Sequence, residues 1–327
     1  MMCTKNSLTN RIYQAQCYGS VEPIEYMTPY PNLGTLVVGQ NIKLADKIWY
    51  LPQMLSYADL LQRINQTANW LEQSGITNHD RVYLANCPTP EAEILAHAIW
   101  LVSGSVVIGS DLQQILGCCQ PKLIIGKSIA DIGGVDIIPI GEEENQFPKV
   151  AEKYHPEYHS KHKALLSDEA LVFWNGYRGI RLSHYNLLIN ANGTLSQLAP
   201  GQDTTMRIRL PAVTTAWAVL QAILPIYAGI GMSPDEGDLG IGIEKSEATD
   251  YYLNYDLKST LVDDLQIHIL PEATAVLKIG DRPIPLTKIA VTGDGKITVS
   301  GHSVMMGYTD NIINEQSFTE AGLELPL

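Results

Sequence analysis

The chain has 327 residues, of which 45% are hydrophobic and 17% are charged, and its formal net charge is −13 at pH 7. This composition predicts a folded globular protein with one large domain or two subdomains, and it excludes a disordered chain. The acidic balance, with no basic run, argues against a nucleic-acid-binding protein. The sequence has no apolar segment of membrane-spanning length, no signal-peptide core and five cysteines without a CxxC pair. We therefore expect a cytoplasmic protein without a membrane partner.

The first half of the chain alternates predicted helices with predicted strands. An amphipathic helix is expected over residues 56–74, with Ser56 as its N-cap and Gly75 at its end. Residues 141–163 carry charge, proline and histidine without apolar periodicity, which predicts a connecting loop. The alternation is typical of a mainly parallel sheet covered on both faces. Between these two segments we expect strands at 80–85, 105–108, 122–125 and 136–140, and helices at 89–102 and 112–118.

The second half begins with a strand and a helix and then changes to short strands. Helices are predicted from Ser183 to about Leu198 and over residues 217–227, with a glycine-rich acidic loop at 233–246. The later pattern predicts strands at 266–270, 275–279, 287–291 and 296–300, with a turn at 293–295. We therefore predict an α/β fold, with layered α/β/α subdomains, mainly parallel sheets and a small C-terminal β-rich subdomain. The expected boundaries are 1–165 for the first subdomain, 166–264 for a shortened second subdomain, and 265–327 for the β-rich subdomain.

Short motifs along most of the chain carry a family resemblance. In their order and spacing they resemble the adenylate-forming superfamily, which includes acyl-CoA synthetases, luciferases and the adenylation domains of peptide synthetases. The motifs are Ser56-Tyr57-Ala58-Asp59-Leu60, Asp80-Arg81-Val82, Leu182-Ser183-His184-Tyr185-Asn186, Leu210-Pro211, Pro271-Glu272-Ala273-Thr274, Gly280-Asp281-Arg282-Pro283-Ile284-Pro285 and Gly301-His302-Ser303-Val304-Met305-Met306-Gly307-Tyr308.

The resemblance implies a nucleotide site between a strand at 171–173 and the helix after Ser183. Relatives have a loop rich in serine, threonine and glycine there, which wraps the ATP phosphates with backbone amides and a lysine. This chain has only Trp174–Gly179, with no serine or threonine. The candidate nucleotide-binding residues are Asn175, Gly176, Arg178 (at the lysine position), Gly179, Ser183 and Glu272, and Glu272 is also the candidate Mg²⁺ ligand. The alternative interpretation is a shortened structural turn at the junction between strand and helix.

The acyl pocket and the C-terminal part of the family pattern are also altered. Thr214 stands near the position where relatives have a histidine, and with Trp217 it is the candidate acyl-pocket residue. The segment Ile230–Pro271 is shorter than in relatives. The chain ends at Leu327, before the motif that would hold the ribose, so we expect the mobile C-terminal ligase domain and its catalytic lysine to be absent.

Two functional hypotheses follow from the resemblance. The first is a degenerate AMP-dependent synthetase-like protein, a pseudoenzyme that binds or scaffolds in an acyl- or aminoacyl-activating pathway without self-sufficient ligase activity. The alternative is a working ligase that makes acyl-AMP from ATP and a carboxylate with a domain supplied in trans. The resemblance implies ATP or AMP and Mg²⁺ as ligands, although the altered loop argues against their binding. It implies a small acyl ligand, an acyl or aminoacyl carrier protein, or a trans-acting ligase domain as partners.

Overall fold

A computed structural model describes residues 7–25, 28–127, 129, 134–257, 263–292 and 295–326. The α-helices are α1 Leu8–Gln16, α2 Leu36–Leu44, α3 Tyr57–Gln73, α4 Glu91–Leu101, α5 Leu112–Cys119, α6 Lys149–Glu152, α7 His184–Leu198, α8 Leu224–Ala228 and α9 Asn311–Ser317. A π-helical segment, Trp217–Ile223, runs directly into α8. Short 3₁₀ turns lie at Leu33–Thr35, Leu51–Gln53 and Pro271–Ala273.

The strands form three sheets. They are β1 Ile48–Tyr50, β2 Leu55–Ser56, β3 Arg81–Ala85, β4 Ser105–Gly109, β5 Leu123–Gly126, β6 Asp136–Gly141, β7 Phe147–Pro148, β8 Glu169–Trp174, β9 Gly179–Ser183, β10 Thr205–Ile208, β11 Gly231–Ser233, β12 Leu239–Gly242, β13 Tyr251–Asn254, β14 Gln266–Ile269, β15 Val276–Ile279, β16 Arg282–Pro283, β17 Thr287–Val291, β18 Lys296–Gly301, β19 Gly307–Tyr308, β20 Phe318–Thr319 and β21 Gly322–Pro326.

Two of the sheets are large and mainly parallel. The eight-stranded sheet has the order β19-β9-β8-β4-β3-β5-β6-β7, and only β9 and β19 pair antiparallel to their neighbours. The nine-stranded sheet has the order β16-β15-β14-β13-β12-β10-β11-β1-β2, parallel in its centre and antiparallel at both edges. The third sheet, β17-β18-β21-β20, is small and antiparallel. The predicted α/β class with mainly parallel sheets and a small β-rich unit is confirmed, whereas the three boundaries stay predictions.

Most predicted elements are present within a residue or two of their expected ends. Helix α3 begins at a capping box, in which Ser56 Oγ accepts the Asp59 amide and the Asp59 carboxylate accepts the Ser56 amide. Two expected loops contain structure that their polar sequences hide: 141–163 holds β7 and α6, and 233–246 holds β12. Gly293 and Asp294 of the expected turn lie outside the described residues.

Helix α4 is a central packing element of the fold. It packs on α3, on β4 of the eight-stranded sheet and on the π-helical segment. Residues 92–100 are all buried, which is the pattern of a helix enclosed on every side. Trp100, whose indole Nε1–H donates to the Ala170 carbonyl oxygen over 2.8 Å, ties α4 to β8. In the part of the chain that the structure describes, no helix combines the length and apolar character needed to cross a membrane.

Candidate functional site

The candidate phosphate loop is the turn of a β-hairpin. Strands β8 and β9 pair antiparallel, with Trp174 opposite Gly179, so residues 175–178 form the tight connection between them. The turn therefore leads into β9, and this strand intervenes between the turn and α7. The apolar residues Ile180 and Leu182 alternate along this short strand, and both are fully buried.

The backbone amides of the turn are hydrogen-bonded within the turn itself. The side-chain Oδ1 of Asn175 accepts the amides of Tyr177 (3.1 Å) and Arg178 (3.0 Å), and the Asn175 amide donates to the Arg178 carbonyl oxygen (3.2 Å). Such an Asx turn satisfies the backbone locally. Gly176 has φ = +95°, a conformation that favours glycine for backbone reasons alone. The turn therefore offers few amides to an external phosphate.

The start of helix α7 is also satisfied internally. Ser183 caps the helix by accepting the Asn186 amide on Oγ (3.1 Å). The amide of His184 donates to the Asp168 carbonyl oxygen (3.1 Å), and that of Tyr185 donates to the Leu166 carbonyl oxygen (2.9 Å). The amides that usually bind anions at a helix N-terminus are thus engaged. Ser183 also lies at the far end of β9 from Gly179, roughly 13 Å along the strand.

The structure brings together two of the candidate nucleotide residues through a third side chain. The Arg178 guanidinium lies over the Tyr308 ring, 4.8 Å from its centroid, and the Tyr308 hydroxyl donates to Glu272 Oε1 over 3.2 Å. Burial raises the pKa of the Glu272 carboxyl, and the Arg178 charge opposes this shift only in part. Burial and the nearby Glu272 carboxylate raise the pKa of the Tyr308 hydroxyl. Arg178, Tyr308 and Glu272 form one cluster, the Tyr308 cluster.

The Tyr308 cluster does not fit a Mg²⁺-bound triphosphate as it stands. Mg²⁺ requires several oxygen ligands in near-octahedral geometry. Glu272 is a single carboxyl that is 6% exposed, with one oxygen accepting from Tyr308. Across the described residues, no group of three or more His, Cys, Asp or Glu side chains could hold a metal ion.

Gly179 is required by packing. A Cβ atom at this position would lie 2.7 Å from Thr309 Cγ2 and 2.9 Å from Thr309 Oγ1. The Thr309 amide donates to the Gly179 carbonyl oxygen over 2.8 Å, and this hydrogen bond holds the two backbone segments at this spacing. The glycine thus has a structural reason to be present whether or not a nucleotide approaches it.

Of the two candidate acyl-pocket residues, Trp217 begins the π-helical segment and Thr214 lies three residues before it. Thr214 Oγ1 accepts the Trp217 amide (3.2 Å), and the buried Trp217 indole Nε1–H donates to Glu93 Oε1 (2.8 Å). An open cleft of about 530 Å³ lies nearby, but neither residue is part of its wall. The cleft is lined by Tyr50, Cys87, Pro88, Thr89, Ile208, Arg209, Leu210, Pro211, Ala212, Pro234 and Ile243.

Sequence reasoning missed the buried polar groups behind this cleft. Glu93 is fully buried and accepts from Trp217, Gln221 and Thr89 on Oε1. Burial raises the pKa of its carboxyl and outweighs these hydrogen bonds. His97, one helical turn later, contacts the Ala222 carbonyl oxygen, and burial lowers its pKa to about 4. The available signal was an acid and a histidine four residues apart in the otherwise apolar run of α4.

Solved structures of similar fold were found for nearly the whole chain. Apo MatB from Rhodopseudomonas palustris has a TM-score of 0.76 and 18% identity, over 89% of this chain and 74% of that one; MatB from this organism has also been solved with ATP bound. The inhibitor-bound N-terminal domain of FACL13 from Mycobacterium tuberculosis has a TM-score of 0.75 and 16% identity, over 90% and 95%. NpsA-ThdA, an artificially fused adenylation–PCP di-domain from Klebsiella oxytoca, has a TM-score of 0.73 and 12% identity, over 91% and 68%. No family model and no curated protein matches the sequence.

Proposed function

Because this chain has the fold of the adenylate-forming superfamily, we propose that it is a degenerate member that binds or scaffolds in an acyl- or aminoacyl-activating pathway. In this proposal it has no self-sufficient ligase activity. The proposal keeps the cytoplasmic location expected from the cysteine content.

The closed turn at residues 175–178 carries this proposal. A triphosphate needs several unengaged donors around it, because the charge of its oxygens must be balanced. Here the amides of Tyr177 and Arg178 bond to Asn175, and the first amides of α7 bond to protein oxygens. Opening the turn for ATP would cost the hydrogen bonds that define it.

A carrier protein is the first partner to test. The adenylation–PCP fusion of similar fold supports this choice. In the proposal, the surface of this chain binds a carrier protein or a second ligase component. The second ligase component carries out the activation chemistry.

Two measurements test the proposed function. ATP–pyrophosphate exchange should be absent with a panel of carboxylates and amino acids, with an active acyl-CoA ligase assayed in parallel as the control. Calorimetric titration with Mg·ATP, AMP and acyl-sulfamoyl adenosines should show no saturable heat. Exchange with any single carboxylate would overturn the proposal.

The second candidate is a working ligase completed by a domain supplied in trans. The grouping of Arg178 and Glu272 around Tyr308 favours it, and in this candidate the domain supplied in trans provides the further Mg²⁺ ligands that the Tyr308 cluster lacks. In this case Mg·ATP binds, and Arg178→Ala weakens binding while Tyr177→Ala, on the exposed tip of the same turn, leaves it unchanged. Equal ATP affinity in Arg178→Ala and the wild type would count against this candidate.

A further inference from the structure

The eight-stranded sheet carries a second cleft, at the edge opposite the 175–178 turn. Its volume is about 460 Å³, within the range of small-molecule sites. Strands β3 and β8 begin here and the antiparallel β9 ends here, so the cleft lies at the amino ends of the parallel strands. The turn follows the carboxyl end of β8, and the Tyr308 cluster lies beside it.

Two arginines in this cleft share one carboxylate. Arg81 donates to Glu169 through Nε (2.7 Å) and Nη2 (2.8 Å), and its Nη1 donates to the Cys119 carbonyl oxygen (2.9 Å). Arg181 donates to Glu169 Oε2 only through Nε, over 2.6 Å. Among the described residues, Nη1 and Nη2 of Arg181 have no protein partner. The partly exposed Arg181 therefore presents a two-donor guanidinium edge to the cleft, already oriented by Glu169.

An acidic side chain faces the same space without pairing with Arg181. Asp168 accepts the Leu165 amide on Oδ2 over 2.8 Å, and its Oδ1 has no protein partner among the described residues. No ion pair within 4.0 Å joins Asp168 to Arg181 in the described part of the chain. The polar residues His79, Gln120 and Ser167 also line the cleft. The cleft thus offers one cationic and one anionic contact, and its formal charges balance.

A smaller, more apolar cleft adjoins the polar one. Its volume is about 180 Å³, and it shares Ser167 and Met306 with the larger cleft. Its other walls include Ile12, Pro23 and Ile24 from the N-terminal segment. A ligand bound by its charged groups in the polar cleft can therefore extend an apolar group past Met306.

We propose that these adjoining clefts bind a free α-amino acid with an apolar side chain. The ligand carboxylate accepts two parallel hydrogen bonds from Arg181, the geometry in which a guanidinium recognises a carboxylate best. The ligand ammonium donates to Asp168 Oδ1, and the side chain enters the smaller cleft. A zwitterion gives a partner both to the free Nη edge of Arg181 and to Asp168 Oδ1, whereas a simple anion or cation leaves one of these groups without a partner. This site shares no residue with the 175–178 turn or the Tyr308 cluster, and its only overlap with the proposed function is the start of α7, where Ser183, Tyr185 and Asn186 line the smaller cleft.

Three matched probes test the proposal on the full chain by ligand-observed NMR and calorimetry. L-Leucine carries both charged groups, 4-methylpentanoate lacks the amine, and 3-methylbutylamine lacks the carboxylate. We expect L-leucine to bind and each single-charge probe to bind at least about tenfold more weakly, the loss of one charge-assisted hydrogen-bonded contact. No saturable binding of L-leucine overturns the proposal, as does 4-methylpentanoate binding as tightly as L-leucine.

Variants then assign the contacts. Arg181→Gln and Asp168→Asn should each weaken L-leucine binding at least about tenfold, and Arg181→Lys should give a smaller loss. Arg81 still compensates Glu169 in Arg181→Gln, and asparagine can still accept the Leu165 amide, so both variants should remain folded by circular dichroism. Arg209→Gln, at an exposed arginine beside the nine-stranded sheet, is the control and should bind like the wild type. Unchanged L-leucine affinity in folded Arg181→Gln or Asp168→Asn overturns the assignment.

Discussion

The Trp217 indole donates to the Glu93 carboxyl over 2.8 Å and thereby joins helix α4 to the π-helical segment. Gln221 Nε2 (2.7 Å) and Thr89 Oγ1 (3.3 Å) donate to the same oxygen, Oε1. The other oxygen, Oε2, is buried and has no partner among the described residues. Burial makes this carboxyl costly to ionise, and the three donors on Oε1 offset that cost only in part.

Glu93→Gln should therefore flatten the pH dependence of stability. The folded-state pKa of Glu93 lies above its ordinary value, so its stabilising contribution is full below the ordinary pKa and is lost as the pH rises through the folded value. As the pH rises from 5 to 8, the wild type should therefore lose stability relative to Glu93→Gln. Urea denaturation at both pH values measures the difference. The exposed control Glu247→Gln should keep the wild-type slope, and a Glu93→Gln slope equal to that of the wild type would contradict the argument.

The sequence predicted the fold well because its strongest signals are local and redundant. Helix α3 has an apolar stripe and a capping box, and the strands of the eight-stranded sheet are continuous apolar runs. Strand β12 was missed because Leu239-Gly240-Ile241-Gly242 has two glycines and acidic neighbours. Its pairing with β10 and β13 is a tertiary effect that overrides weak strand propensity.

The site was less predictable because its chemistry depends on which hydrogen-bond donors are already bonded within the protein. Asn175 and Arg178 suggested a shortened phosphate loop, but only the structure shows that the Asn175 side chain accepts hydrogen bonds from two amides of the turn. Similarly, Arg81 lies 88 residues from Glu169 in sequence, and the contact of Glu169 with Arg181 needs the register of β8 and β9. Residue types indicate what a site could do, and three-dimensional pairing decides which groups remain available.

Tyr308→Phe should destabilise the protein by about 1–3 kcal/mol, because it leaves the buried Glu272 carboxyl without its Tyr308 donor. The ring stays in place under Arg178, so the loss of stability measures the contribution of the hydroxyl alone. Urea denaturation at pH 7 measures it. The control is Tyr177→Phe on the same hairpin, where the side chain is 88% exposed, and it should change stability by no more than a few tenths of a kcal/mol. Equal effects of the two substitutions would show that the Tyr308–Glu272 bond contributes nothing.

Glu169→Gln should destabilise the protein by about 2–4 kcal/mol at pH 7, because Arg81 and Arg181 lose their shared anion. Burial raises the pKa of the Glu169 carboxyl, but the two arginines outweigh it and the net pKa is lowered. This contribution is present above the ordinary glutamate pKa of about 4.3 and is lost as the pH falls through the folded value. The difference in the free energy of unfolding between wild type and variant should therefore become smaller in acid, as measured by denaturation from pH 7 to pH 3. The exposed Glu143→Gln is the control, and a gap that stays constant with pH would contradict the pairing.

Gly179→Ala should destabilise the protein by about 1–3 kcal/mol, because the added Cβ overlaps Thr309. Thr309→Ala removes the two closest atoms and leaves a Cβ contact at 3.4 Å, an ordinary packing distance. The double variant should recover at least about 1 kcal/mol in a double-mutant cycle. Gly176→Ala provides the contrast: nothing lies within 4 Å of its Cβ, and its penalty comes from φ = +95°, so Thr309→Ala should not rescue it. If Gly179→Ala costs the same with and without the Thr309 side chain, packing against Thr309 is not the reason that glycine occupies this position.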